Sequence, residues 1–279
     1  MKTRAYCKVN LALDVVGVRE DGYHDLRMIM VPVDFYDELE ITVNDEMLYE
    51  CKSRKIYFDD NNTIVKAIKL MKDEFNISDN FKVVLNKHIP MKAGLAGGST
   101  DGAAVIRLIN KMYDLKISKE KIKELCLKIG SDVLFTYYSR PSLVEGTGDK
   151  LKFIDIKDDY YVLIVKPRTG VSTSECYKKL DMSDCRHPDV DLILDKLVSG
   201  EEVKDLLMNS LEAPAIDLCK DIGDVKEKLL AAGADFAMVS GSGSSVFTID
   251  KSRDKIESIY KALKDSGYFI RSAKILNKR

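Results

Sequence analysis

The chain has 279 residues, 45% of them hydrophobic, which is enough for a full core in one large or two medium domains. Lys and Arg number 44 against 45 Asp and Glu, a net charge of -1, so no global field draws the protein to nucleic acid or to an anionic membrane surface. The six cysteines form no CxxC pair, no signal-peptide apolar region follows the N-terminus, and no apolar run approaches the roughly 20 residues of a membrane span; an ordered cytoplasmic protein with reduced thiols is expected.

In chain order, alternation from Ala5 to Val15 predicts a strand. Ala5, Cys7, Val9, Leu11, Leu13 and Val15 lie on its core face, and Lys8 and Asn10 share the other. A second strand runs from Asp37 to Val43. Ile64, Ile68, Met71 and Phe75 then mark one face of a helix capped near Asn62. The strand FKVVLNKHI leads into the most informative stretch, IPMKAGLAGGSTDGAAVIRLINKM, from Ile89 to Met112. Gly94, Gly97 and Gly98 let backbone N–H groups approach a ligand closely. Ser99 and Thr100 are expected to open a helix with Val105, Leu108, Ile109 and Met112 on one face, its positive dipole end aimed at whatever the loop holds. An anion suits that place. The loop is neither a Walker A loop, which needs a lysine here, nor a dinucleotide fingerprint.

A further helix starts at Ser118, carries Ile122, Leu125, Cys126 and Ile129 in register, and stops at Gly130. A hairpin is expected around residues 145–149. The second half opens with the strand YYVLIV and continues through helical segments to Gly233. There follow FAMVS, a GSGSS turn at 241–245, VFTI, a helix over 254–264 and the strand YFIRSAKIL. This order, β, α, β, β, α, β, is the split βαβ arrangement of a ferredoxin-like domain with extra helices in its first crossover. A soft boundary is placed between domains 1–156 and 157–279.

Taken alone, the polar residues say little. A strand lysine such as Lys8 is usually solvated, Asp132 ahead of ValLeuPhe reads as a helix cap, and Asn62 reads as another. Their order says more. IPMKAGLAGGSTDGAA resembles the glycine-rich ATP loop of the GHMP kinases, and KVNLALDVVGVREDGYHDL, KIGSDVLF, VEGTGDKL, VSTSECYKKL, NSLEAPAI and MVSGSGSSVF occur in that family's order over nearly the whole chain. The resemblance implies an α+β fold of two domains, an N-terminal α/β domain and a ferredoxin-like C-terminal one, with the active site in the cleft between them.

The resemblance also implies ATP as cofactor, held by Pro90, Met91, Lys92, Ala93, Gly94, Leu95, Ala96, Gly97, Gly98, Ser99 and Thr100, with Asn62 on the adenine side. Magnesium would arrive with ATP, since no metal cage is visible in the sequence. Lys8 and Asp132 take the catalytic places, Lys8 beside the transferring phosphoryl group and Asp132 accepting the proton of the substrate hydroxyl. Asn10, Tyr23, His24, Thr173 and Tyr177 match contacts to a small-molecule cytidine diphosphate alcohol, in the branch that serves non-mevalonate isoprenoid synthesis. Tyr23 and Tyr177 would sandwich the cytosine and His24 would read its edge. One departure is Leu134, where the family usually has proline. Two alternatives stay open: a GHMP kinase for another small alcohol, and a paralogue that binds nucleotide without catalysis. Oligomeric state is not legible.

Overall fold

The computed structural model describes residues 1–53 and 56–277. Tertiary contacts divide the chain into two compact units, neither of which is a continuous stretch. The first comprises residues 1–7, 35–90 and 96–139, and the second 8–34, 91–95 and 140 onward, so the contacts do not divide the chain at the expected 156/157 boundary. Two strands cause this. β1 (Lys2–Val18) and β2 (His24–Asn44) each lend one end to one unit and the remainder to the other. Both exceed their sequence signals because they are covered on both faces over much of their length. Every residue from Ala5 to Val15 is buried, Lys8, Asn10 and Asp14 included, where alternation had implied an open polar face.

In the first unit β4 (Asn80–Asn86) pairs in parallel with β3 (Leu48–Cys51) and antiparallel with the far half of β2, where Leu39 faces Leu85 and Ile41 faces Val83. These four side chains are buried, as the period-2 pattern requires. Helix α1 (Thr63–Phe75) begins where the Asn62 carboxamide accepts the Ile64 N–H at 3.0 Å, and Ile64, Ile68 and Met71 are buried. Burial of each such side chain stabilises by roughly 1.5–3 kcal/mol. α1 packs on α2 (Gly97–Met112), and α2 also packs on α4 (Val133–Tyr138). Between them in sequence, α3 (Lys119–Ile129) is capped by Ser118 and ended by Gly130, as its sequence signals.

In the second unit β5 (Ser142–Gly146) pairs with Leu26–Met30 of β2 and with β6 (Lys150–Phe153), which forms the expected hairpin. A separate antiparallel sheet comprises β7 (Tyr161–Lys166), β8 (Met238–Val239), β9 (Val246–Asp250) and β10 (Phe269–Lys274) in the order β10-β7-β9-β8. Between β7 and β8 the chain forms α5 (Thr173–Lys179), α6 (Val190–Ser199), α7 (Glu212–Leu218) and α8 (Asp221–Ala231), and α9 (Arg253–Leu263) returns to β10. α8 and α9 both pack on β7 and β9. The split βαβ order read from the sequence is therefore present, with the inserted helices in its first crossover.

Candidate active site

The glycine loop enters α2 at Gly97, two residues before Ser99. Ala96 occupies the cap position in the left-handed region (φ 56°) and has no side chain to accept an N–H. Helix geometry leaves the first-turn N–H groups without intrahelical partners, so at this N-terminus they and the dipole are available to an anion. Thr100 is a different case. Its N–H bonds the Ala96 carbonyl at 2.9 Å, and its hydroxyl donates to the Tyr6 carbonyl at 2.8 Å. Thr100 thus supports the turn and has no donor left for a phosphate. Thr63 adds a second brace, its hydroxyl donating to the Gly98 carbonyl at 2.6 Å. Asn62 is occupied as well, since its Nδ2 donates to the Tyr57 carbonyl while its Oδ1 caps α1.

The part of the loop in the second unit is pinned by its carbonyls. That of Lys92 accepts from Val171 and Ser244, that of Ala93 from Ser245, that of Gly94 from the Ser240 hydroxyl, and that of Leu95 from the Lys8 N–H, at 3.1–3.4 Å. The carbonyls of residues 92–95 are thus satisfied within the protein. Gly94 has φ +71°, and a Cβ there would overlap the Ser240 carbonyl oxygen, so glycine is needed for conformation and for space. The side chains of Ala93 and Leu95 are buried, leaving only their backbone for contact, whereas Met91 is exposed and Pro90 half-buried.

Lys8 lies beside this pinned segment. The residue is 3% exposed, and its ammonium donates to Asn10 Oδ1 at 2.6 Å and lies 3.1 Å from where a Cβ on Gly241 would be. Asn10 Nδ2 in turn approaches the Met28 sulfur at 3.4 Å. The shared face of Lys8 and Asn10 is therefore enclosed, not solvated. The turn at 240–245 closes by Ser240 N–H to Ser245 carbonyl at 2.9 Å, and Ser242 meets the Thr173 hydroxyl at 2.9 Å.

Two of the aromatic residues named from the sequence meet in the second unit. His24 packs against Tyr177 with ring centroids 4.8 Å apart and tilted by 37°, whereas Tyr23 is 61% exposed.

In the first unit Asp132 stands half-buried at the cap position of α4, yet its carboxylate makes no capping hydrogen bond. The ordinary use of an aspartate at that position is therefore not the use made of it here. Leu134 is buried as the second residue of α4, a position where proline's missing N–H would cost nothing, so the replacement leaves the helix and the aspartate in place.

Residues 62–140 match the profile of the GHMP kinases N terminal domain, and residues 193–268 match that of the GHMP kinases C terminal domain. The chain belongs to the GHMP kinase family. Among GHMP kinases it is 37% identical over 275 residues to the 4-diphosphocytidyl-2-C-methyl-D-erythritol kinase of Bacillus velezensis, covering 96% of this chain and 95% of that one. It is 38% identical over 268 residues to the enzyme of the same name from Clostridium beijerinckii, covering 95% and 96%. A crystal structure of 4-(cytidine 5'-diphospho)-2C-methyl-D-erythritol kinase superposes with a TM-score of 0.83 at 28% identity, covering 99% of both chains. L. major mevalonate kinase, at TM-score 0.77 and 17% identity over 100% of this chain and 96% of that one, shares the fold.

The GHMP kinase loop has a support that the motifs do not contain. Lys87 Nζ donates to Asp37 Oδ2, to Asp101 Oδ2 at 2.6 Å and to the Gly97 carbonyl at 2.9 Å, which uses all three of its protons. Asp37 Oδ1 accepts the N–H groups of His88 and Ile89 at 2.6 and 2.8 Å. All three side chains are at most 4% exposed. Burial works against the charge on Lys87, but Asp101 and Asp37 outweigh it and hold its pKa above the ordinary lysine range. Burial, together with Asp37, pushes the Asp101 carboxyl up to about 8 despite Lys87. A signal for this cluster was present in the sequence. Phe81, Val83, Leu85 and Ile89 are buried on one alternating face, and Lys87 falls in the same register, where a charge demands a partner. Asp37 falls likewise between buried Phe35 and Leu39.

Proposed function

We propose that this chain phosphorylates the 2-hydroxyl of 4-diphosphocytidyl-2-C-methyl-D-erythritol with ATP, a step of non-mevalonate isoprenoid precursor synthesis carried out in the cytoplasm. The observation that carries the reading is the α2 N-terminus, capped by an alanine and entered through a loop whose carbonyls are tied back, because such an end is built for phosphates and not for the chain itself. The N–H groups of the loop and of Gly97, Gly98 and Ser99 hold the triphosphate. Ala93, Leu95 and Thr100 shape the loop through buried side chains.

Asp132, left uncommitted by α4, orients the acceptor hydroxyl and takes its proton; little deprotonation is needed before attack when the transition state is loose. Lys8 stabilises negative charge on the transferring group, and Asn10 fixes the direction of its ammonium. Magnesium accompanies ATP, its ligands being phosphate and water. His24 and Tyr177 form the wall against which the cytosine packs, with Thr173 and Tyr23 at its margin.

The test is ADP release by the purified protein with ATP and magnesium, offering the cytidine alcohol, its uridine counterpart, homoserine and mevalonate in turn. Turnover with the cytidine compound and at least tenfold less with the others is expected. Preference for homoserine or mevalonate would keep the family and discard the substrate. No turnover with any, alongside intact ATP binding, would favour a nucleotide-binding paralogue.

A further inference from the structure

The glycine loop runs from residue 90 to residue 96, and one buried cluster holds the chain on both sides of it. On the entry side, Asp37 takes the N–H groups of His88 and Ile89, the two residues before Pro90. On the exit side, Lys87 binds the carbonyl of Gly97, the first residue of α2, and the carboxylate of Asp101 one turn further on. Lys87 also binds Asp37, so the two stems are joined through a single ammonium group. Gly97 is needed for that approach, because a Cβ there would lie 3.1 Å from Lys87 Nζ and 2.9 Å from Ile89 Cγ2. We propose that Lys87, Asp37 and Asp101 are positioning residues for nucleotide binding, a clamp that sets the spacing of the loop stems and thereby the direction of the α2 N-terminal amides. This rests on the loop being the ATP site.

The chemistry of the cluster suits such a task. All three protons of Lys87 are taken up by protein acceptors, two of them on Asp37 and Asp101, so the cluster acts on the chain rather than on a ligand. A second acid beneath an anion site would repel phosphate if ionised. Asp101 Oδ1, however, has no hydrogen-bond partner among the described residues, and burial favours its neutral form. A neutral Asp101 still accepts from Lys87 through Oδ2, so the tie to α2 survives without the charge.

The deciding variants cut the tie without leaving a charge stranded. Asp101→Leu removes the acceptor and the buried acid together, while Asp101→Asn keeps an acceptor and stays neutral. ATP binding is measured by calorimetry without any alcohol substrate, with melting temperature as the control for folding, and Met71→Ala serves as a destabilised variant in α1 away from the clamp. Asp101→Leu is expected to weaken ATP binding at least fivefold, Asp101→Asn to restore it to within twofold, and Met71→Ala to leave it unchanged while melting earlier. In the steady state the Leu variant should raise KM for ATP and leave KM for the alcohol alone. Unaltered ATP affinity in a folded Asp101→Leu protein overturns the proposal. If that variant does not fold, Lys87→Met carries the decision by the same measure, and failure of both to fold makes the cluster a stability element only. Absence of ATP binding in the unaltered protein would instead overturn the reading of the loop, and the clamp with it.

Discussion

The catalytic roles proposed for Lys8 and Asp132 rest on two different local settings. Lys8 is buried on a strand at the cost of desolvating an ammonium, and Asp132 holds a cap position without capping. We predict that Lys8→Ala and Asp132→Asn each lower kcat by at least 100-fold while the melting temperature moves by only a few degrees, because what is lost is concentrated in the transition state. ADP release and thermal melts on the same preparations check this, and a tenfold effect or less would remove the assigned roles. Asp101 gives a pH prediction. Its folded value of about 8 lies above the ordinary 3.8, so the native state keeps a proton that the unfolded chain has released. The stability this group confers is full below about 4 and fades as pH climbs toward 8. Relative to Asp101→Asn, which stays neutral, the unaltered protein should melt progressively earlier from pH 5 to 8; a constant difference would refute it. Lys8 and Asn10 were legible in sequence because they are neighbours on one strand. Lys87, Asp37 and Asp101 were not, because only the fold brings positions so far apart in the chain together, and the one clue was a charge in an inward register.

Elements carry their own tests. Gly94→Ala forces a Cβ into a left-handed residue and into the Ser240 carbonyl, so a loss of roughly 1–3 kcal/mol in stability and a weaker grip on ATP are expected. Gly98→Ala meets nothing closer than Thr63 Oγ1 at 3.6 Å and should leave stability within about 0.5 kcal/mol. Chemical denaturation of both variants decides, and equal losses would contradict the assigned geometry. Asn62→Ala should cost about 1 kcal/mol by uncapping α1. A rise in KM for ATP beyond that would add the adenine contact which the family likeness suggests. The helices α1 and α3 could be read from caps and period alone. The start of α2 could not, since two consecutive glycines are poor helix formers and tertiary contacts place them in the helix regardless. β3 is too short for any periodicity to register.

For the molecule as a whole, the ferredoxin-like order was legible because its strands and helices alternate locally. The division into units was not, because it depends on which parts of two long, fully buried strands meet distant partners. Within the second unit, Leu13 exchanges backbone hydrogen bonds with Met208 and Ser210, and Val33 pairs with Ile275. A cut at residue 156 severs both sets. Fragments 1–156 and 157–279 made separately should therefore lack a cooperative melt and a native near-ultraviolet spectrum, and mixing them during refolding should recover both in part. A sharp transition in fragment 1–156 alone would show that the pairings across residue 156 are dispensable.

The sheet order β10-β7-β9-β8 also bears on how the protein is made. A ribosome delivers β7 more than a hundred residues before β10, and at ordinary rates of translation that interval lasts on the order of 5–20 s. Throughout it, a strand whose residues Val162 to Val165 all end up buried has one edge with no partner. The nascent chain is then most open to sticking to its neighbours, and the completed fold's stability offers no protection, because the strand that closes the sheet has yet to be synthesised. Soluble yield should therefore respond more to chaperone supply and growth temperature during expression than to substitutions that raise the melting point.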